Sequence, residues 1–176
     1  MSSIEDARLK YRPKEIKLLL IGEAPPKNKD CFFYYENVKK YDFLFIAVLK
    51  ALGSTKDKEE YIQKKRKEKE KWLTSIQEQG IYLVDISKKH LKQKLSSEQR
   101  EAFIRETNML ITRDTPIVLI KKNVYQNVYK CLIENHYTVL NKEYIPFPSN
   151  NHQREFHDLF LKTLKSNNLH FKIVKD

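Results

Sequence analysis

The chain has almost no cysteine: Cys31 and Cys131 are the only two in 176 residues, and they stand far apart. Two thiols cannot ligate an iron–sulfur cluster or a four-thiolate zinc site, and such usage suits a reducing compartment. Long apolar runs are missing as well, so no segment is expected to span a bilayer. The opening residues, Met1-Ser2-Ser3-Ile4-Glu5-Asp6, carry no apolar signal core, and the expected location is cytoplasmic. His90, His136, His152, His157 and His170 show no ligand spacing with acidic residues. His152 and His157, five apart, fall on poorly matched faces of a helix. No metal and no cofactor is therefore expected, and no Ser–His–Asp triad can be assembled. Internal repeats and linkers are absent too, so residues 1–176 read as a single domain.

What the chain does have is positive charge and aromatic volume. Its formal net charge is +11, and 10 Tyr and 9 Phe contribute much of the core volume. An excess of this size attracts polyanions, nucleic acid first and acidic membrane surfaces second, although it also serves plain solubility. Residues 56–71 hold eight Lys or Arg and five Asp or Glu, with no apolar residue between Ile62 and Trp72. That pattern predicts a solvated helix carrying acid–base pairs at helical spacing.

Strand and helix signals alternate along the rest. Residues 16–21 form an apolar run closed by Gly22 and predict a buried parallel strand. Residues 42–52, apolar nearly all round, predict a buried helix ended by Gly53. Residues 81–86 give a second strand. Ser96 or Ser97 caps a helix with Phe103, Thr107, Leu110 and Ile111 on one face. Residues 116–120 give a third strand, residues 124–134 a third core helix and residues 137–140 a short extended piece. Residues 143–147 predict a fourth strand ending in Pro146-Phe147-Pro148-Ser149. A last helix from Asn150 or Asn151 buries Phe156, Leu159, Phe160, Thr163 and Leu164, and residues 171–174 suggest a small edge strand. The alternation predicts a three-layer α/β/α sandwich around a four-stranded parallel sheet. In such sheets ligands bind beyond the carboxyl ends of the strands, so the residues following each strand are the informative ones.

The turn after the first strand is Gly22-Glu23-Ala24-Pro25-Pro26. Gly22 lets backbone approach a ligand, and the two prolines stiffen the turn. Cys31-Phe32-Phe33-Tyr34-Tyr35 follows, an aromatic cluster able to stack on a planar base or to pack below the loop. Gly22-Glu23-Ala24-Pro25 is similar to the G-E-A-P-G motif of the iron–sulfur branch of the uracil-DNA glycosylases, and more loosely to the G-Q-D-P-Y-H motif of the best-known branch. Tyr82-Leu83-Val84-Asp85-Ile86 resembles the family's second strand, with Asp85 where the family has an Asn that reads the uracil edge. Phe147-Pro148-Ser149 resembles its last motif, with Phe147 at the His position. These landmarks occur in the family's order and span most of the chain. The cluster cysteines of the iron–sulfur branch are missing, which makes this a divergent relative.

The resemblance implies a uracil-DNA glycosylase-like fold and hydrolysis of the bond between a damaged or deaminated base and its deoxyribose. The base must first be flipped out of the stack into a pocket. Glu23 is then the candidate catalytic carboxylate, orienting water. Gly22, Ala24, Pro25, Phe33, Asp85 and Phe147 are the candidate base-binding residues, with Phe33 stacking and Asp85 facing the base edge. Lys27, Lys121, Ser149, Asn150, Asn151, His152 and Arg154 are the candidate DNA contacts. Ionised Asp85 accepts hydrogen bonds but donates none, so it suits a base with more edge donors than uracil unless burial protonates it. Phe147 cannot donate to a leaving anion. Those two positions support an alternative, a non-catalytic nucleic-acid-binding protein of the same fold.

Overall fold

The computed structural model describes residues 3–27, 31–38, 41–53, 68–149 and 151–171. Three parallel strands carry the fold: β1 (Leu18–Gly22), β2 (Ile81–Asp85) and β3 (Ile117–Leu119), in the spatial order β2-β1-β3. In β1, Leu18, Leu19, Leu20 and Ile21 are all fully buried. Successive side chains of a strand point to opposite faces, so both faces of the central strand are covered. Register pairs Gly22 with Asp85 and Ile21 with Leu119.

The described residues contain six helices: α1 (Ile4–Lys10), α2 (Phe43–Ala51), α3 (Lys69–Glu78), α4 (Ser97–Leu110), α5 (Lys122–Glu134) and α6 (Gln153–Ser166). Helix α2 buries Phe45, Ala47, Val48, Leu49 and Ala51, and the chain leaves it through Gly53 at φ 80°. Ser96 caps α4 in a reciprocal capping box with Gln99. Helix α6 buries Phe156, Phe160 and Leu164 at helical spacing. It starts at Gln153, later than Asn150 or Asn151, because Asn151 and His152 form a turn ahead of it. Helix α1 has no counterpart in the sequence reading, although Ser3 and Asp6 form a capping box that marks its start.

Of the solvated helix expected over residues 56–71, only the last four residues, 68–71, are described, and Lys69 departs from that expectation. Residues 54–67 lie outside the described residues. Lys69, the first residue of α3, is buried to 1% exposure and pairs with buried Asp42 at 2.5 Å. Its ammonium also donates to the Phe32 carbonyl at 3.1 Å. Trp72, Leu73 and Ile76 turn the rest of α3 into the core. The edge strand expected over residues 171–174 falls almost wholly outside the described residues.

The four-stranded sheet is corrected to three. Among the described residues, the backbone beyond β3 pairs with that edge at isolated bridges, Val139 to Ile117 and Ile145 to Ile120. Between them the side-chain amide of Asn141 does the pairing. It accepts from the Leu119 N–H at 2.9 Å and donates to the Leu119 carbonyl at 3.0 Å. A second N–H of the same amide bonds the Glu143 carbonyl at 2.9 Å. The backbone of residues 141–144 is thus free to leave the ladder while the buried groups of β3 stay satisfied.

The opposite edge is closed by the same means. The Tyr34 hydroxyl accepts from the Leu83 N–H at 2.6 Å and donates to the Leu83 carbonyl at 3.1 Å, inside the core. Burial, the leading cause, holds the Tyr34 pKa well above its ordinary value, so the hydroxyl keeps its proton.

Candidate functional site

The carboxyl ends of β1 and β2 open into a cavity of about 750 Å³. Its walls come from three segments. The turn after β1 supplies Ala24, Pro25, Pro26 and Lys27, the aromatic cluster supplies Cys31, Phe32 and Phe33, and the entry to α2 supplies Tyr41, Asp42 and residues 43–45. Leu83, Asp85, His90 and Phe147 complete it. Phe33 packs edge-on against Tyr34 and Phe45, with centroids 4.9 and 5.4 Å away. Tyr41 and Phe43 stack at 5.8 Å on the rim, where Tyr41 and Phe147 remain exposed. Aromatic walls with few polar groups are the usual make-up of a small-molecule pocket, and the volume falls within the ordinary range.

Two acids line this cavity, Asp42, which pairs with Lys69, and Asp85. The Asp85 side chain is 8% exposed, and one oxygen accepts from Arg8 Nη2 at 2.5 Å. Burial pushes its pKa up from 3.8 to about 6, the charge of Arg8 opposes that rise, and the nearby charge of Glu23 adds to it. The other oxygen explains Gly22: a Cβ there would lie 2.8 Å from Asp85 Oδ1. Arg8 reaches the site from α1 and lies 5.8 Å from the centre of the Phe32 ring. Its Nε is buried without a partner among the described residues.

Glu23 occupies the neighbouring crevice between the ends of β1 and β3. That crevice is the switch point, since the chain leaves β1 toward β2 and leaves β3 toward the opposite edge. Glu23 is 5% exposed; one carboxylate oxygen accepts from the Leu91 N–H at 2.9 Å and the other from the Lys121 ammonium. His90 Nδ1 stands 3.7 Å away. Burial pushes the Glu23 pKa up, but the hydrogen bonds from Lys121 and Leu91 and the charges of Lys121 and His90 outweigh it, and the net direction is down. Glu23 is therefore held ionised. Lys121 sits at φ 86°, outside the usual range for a residue with a side chain, at the cap of α5. Its N–H bonds the Ile145 carbonyl at 2.7 Å, so one residue links β3, α5, the broken edge and Glu23.

The structure thus brings Ala24, Pro25, Phe33, Asp85, Phe147 and Lys27 around one cavity, with Gly22 packed beneath Asp85. It places Glu23 and Lys121 together beside that cavity rather than in its lining. Ser149 and Asn151 lie before α6 and outside the lining, and Asn150 lies outside the described residues. His152 precedes α6 and bonds Glu155 at 2.9 Å, while the exposed Arg154 faces Asp158 at 3.8 Å. Arg8, Asp42, Tyr41 and His90 were not legible as site residues. Arg8 and Asp42 arrive through long-range packing with no local signature; His90 alone could have been found, because it follows the second strand. Among the described residues no group of three or more His, Cys, Asp or Glu could hold a metal ion, and no helix is long and apolar enough to cross a membrane. Comparison with protein-family models, curated proteins and solved structures finds no match.

Proposed function

We propose that the cavity binds a flipped nucleobase and that the chain hydrolyses the N-glycosidic bond joining that base to deoxyribose, as a divergent relative of the uracil-DNA glycosylases. The observation that carries this reading is the convergence of Ala24, Pro25, Phe33, Asp85 and Phe147, from four separate segments, on one aromatic-walled cavity at the strand ends. Phe33 offers a ring wall for stacking and Asp85 a buried edge-reading group. Below a pH of about 6 Asp85 carries a proton and pairs with a base as a donor and acceptor. Above it the carboxylate selects bases with edge donors. Glu23 uses two of its four acceptor positions on Leu91 and Lys121, leaving two to orient a water. Lys121 and Leu91 fix it in the ionised state that water activation requires.

A second reading has its own observation. Glu23 is neutralised by Lys121 and lies outside the cavity lining, which suits a non-catalytic nucleic-acid-binding protein of the same fold. One experiment separates the two. Oligonucleotides carrying uracil, hypoxanthine, xanthine and other deaminated bases are incubated with the protein, and free base is measured by chromatography. The hydrolase reading expects release, lowered on the order of 100-fold or more by Glu23→Gln. Binding of the panel without release of any base ends it in favour of the second.

A further inference from the structure

Residues 88–94, Lys88-Lys89-His90-Leu91-Lys92-Gln93-Lys94, form the loop that leaves β2, and no acidic residue occurs between Asp85 and Glu98. Lys88, Lys89, Lys92 and Lys94 are all exposed, and none has an ion-pair partner among the described residues. The loop is nevertheless pinned. Its middle donates from the Leu91 N–H to Glu23, and just beyond its end the Leu95 N–H donates to Asn127 at 2.8 Å. His90 belongs to the cavity wall, so the loop runs past the cavity mouth.

Four unpaired ammonium groups on a short anchored loop form a fixed cationic strip. Electrostatics alone would accept any polyanion, but two features narrow the choice. The loop has no exposed apolar anchor for a lipid surface: Leu91 is half-buried and Leu95 is buried. The adjoining rim carries exposed aromatic faces, Tyr41 stacked on Phe43 and Phe147 nearby. A basic track beside aromatic platforms is how unpaired strands are held, because phosphates follow the charge while bases stack on the rings. We infer that residues 88–94 are the phosphate track of a single-stranded nucleic acid whose bases enter the cavity over Tyr41 and Phe147. The inference rests on the reading of the cavity as a base pocket. It also assigns Glu23 a positioning role, because that carboxylate holds the track in place.

The test is the salt dependence of binding to a fluorescein-labelled oligothymidylate of about 20 nucleotides. Each phosphate contact on a single strand contributes about −0.7 to the slope of log K against log salt. The variant Lys88→Gln/Lys89→Gln/Lys92→Gln/Lys94→Gln removes four. From about 50 to about 200 mM salt, wild-type affinity should therefore fall about 50-fold further than that of the variant. Lys14→Gln/Lys17→Gln, ahead of β1 and at the opposite end of the sheet, is the charge control and should leave the slope nearly unchanged. An unchanged slope in the loop variant, an equal loss per charge in the control, or tighter binding to a duplex of the same length would each overturn the inference. So would binding to phosphatidylserine vesicles in place of DNA. Base release is a separate readout. Salt-dependent binding through the loop without release leaves the track standing and ends the hydrolase reading, whereas release with an unaltered slope does the reverse.

Discussion

Asp85 should make the protein less stable as pH rises through the weakly acidic range. A buried acid with a raised pKa holds its proton more tightly folded than unfolded. Its contribution is therefore fully present below its ordinary value of 3.8 and is lost as pH rises through about 6. With those two values, linkage gives a loss of about 2 kcal/mol between a pH of about 4.5 and about 7. The assay is urea unfolding followed by fluorescence of Trp72, the single tryptophan, which is buried in α3. Wild type is compared with Asp85→Asn at each pH. The variant leaves Arg8 with Glu5, at 3.4 Å, as its remaining carboxylate partner, and the lost Asp85 pairing adds an offset, so the readout is the change in the difference with pH. That difference should move against wild type by about 2 kcal/mol, or about 1 M urea in midpoint for a chain of this size. Glu23, whose pKa is lowered, loses its contribution as pH falls, but it does so in both proteins and cancels. A difference that stays flat, or that grows in favour of wild type as pH rises, would show that Arg8 dominates and would refute the assignment of Asp85 as protonatable near neutrality.

Three further expectations follow from buried polar groups. Tyr34→Phe leaves the Leu83 N–H and carbonyl without their partner in the core, which should cost about 2 to 4 kcal/mol and lower the thermal midpoint by on the order of 10 °C, measured by calorimetry. Asn141→Asp keeps the acceptor for the Leu119 N–H but turns a carboxylate toward the Leu119 and Glu143 carbonyls, so it should destabilise more at neutral pH than at a pH of about 4, read by urea titration. Lys69→Met removes the buried ammonium that faces Asp42 and should cost about 3 to 5 kcal/mol in the same titration, with most of the loss recovered in Lys69→Met/Asp42→Leu.

Legibility followed the range of the interactions. β1, β2 and β3 were visible because each is a short apolar run with turn residues at its end, and a strand buried on both faces needs no more than that. The Ser96 cap, the Phe156, Phe160 and Leu164 stripe and the glycine end of α2 are likewise local patterns. The fourth strand was misread for a physical reason. Residues 143–147 have strand-like composition, but Asn141 satisfies the β3 edge with its side chain, and composition cannot show that an amide will stand in for backbone. Lys69 was assigned to solvent by its charged neighbours, whereas Asp42, far away in sequence, made its burial possible.

The amino-acid sequence alone was sufficient for the alternation of strands and helices, the position of the strand-end turn and the scale of the positive charge, because these depend on periodicity and composition within a few residues. Tertiary structure alone decided which groups share a site. It brought Arg8 from α1 onto Asp85, turned Glu23 toward Lys121 and Leu91, and placed His90 in the cavity wall. Burial and the placement of counter-charges set those pairings, and both arise only when distant segments pack.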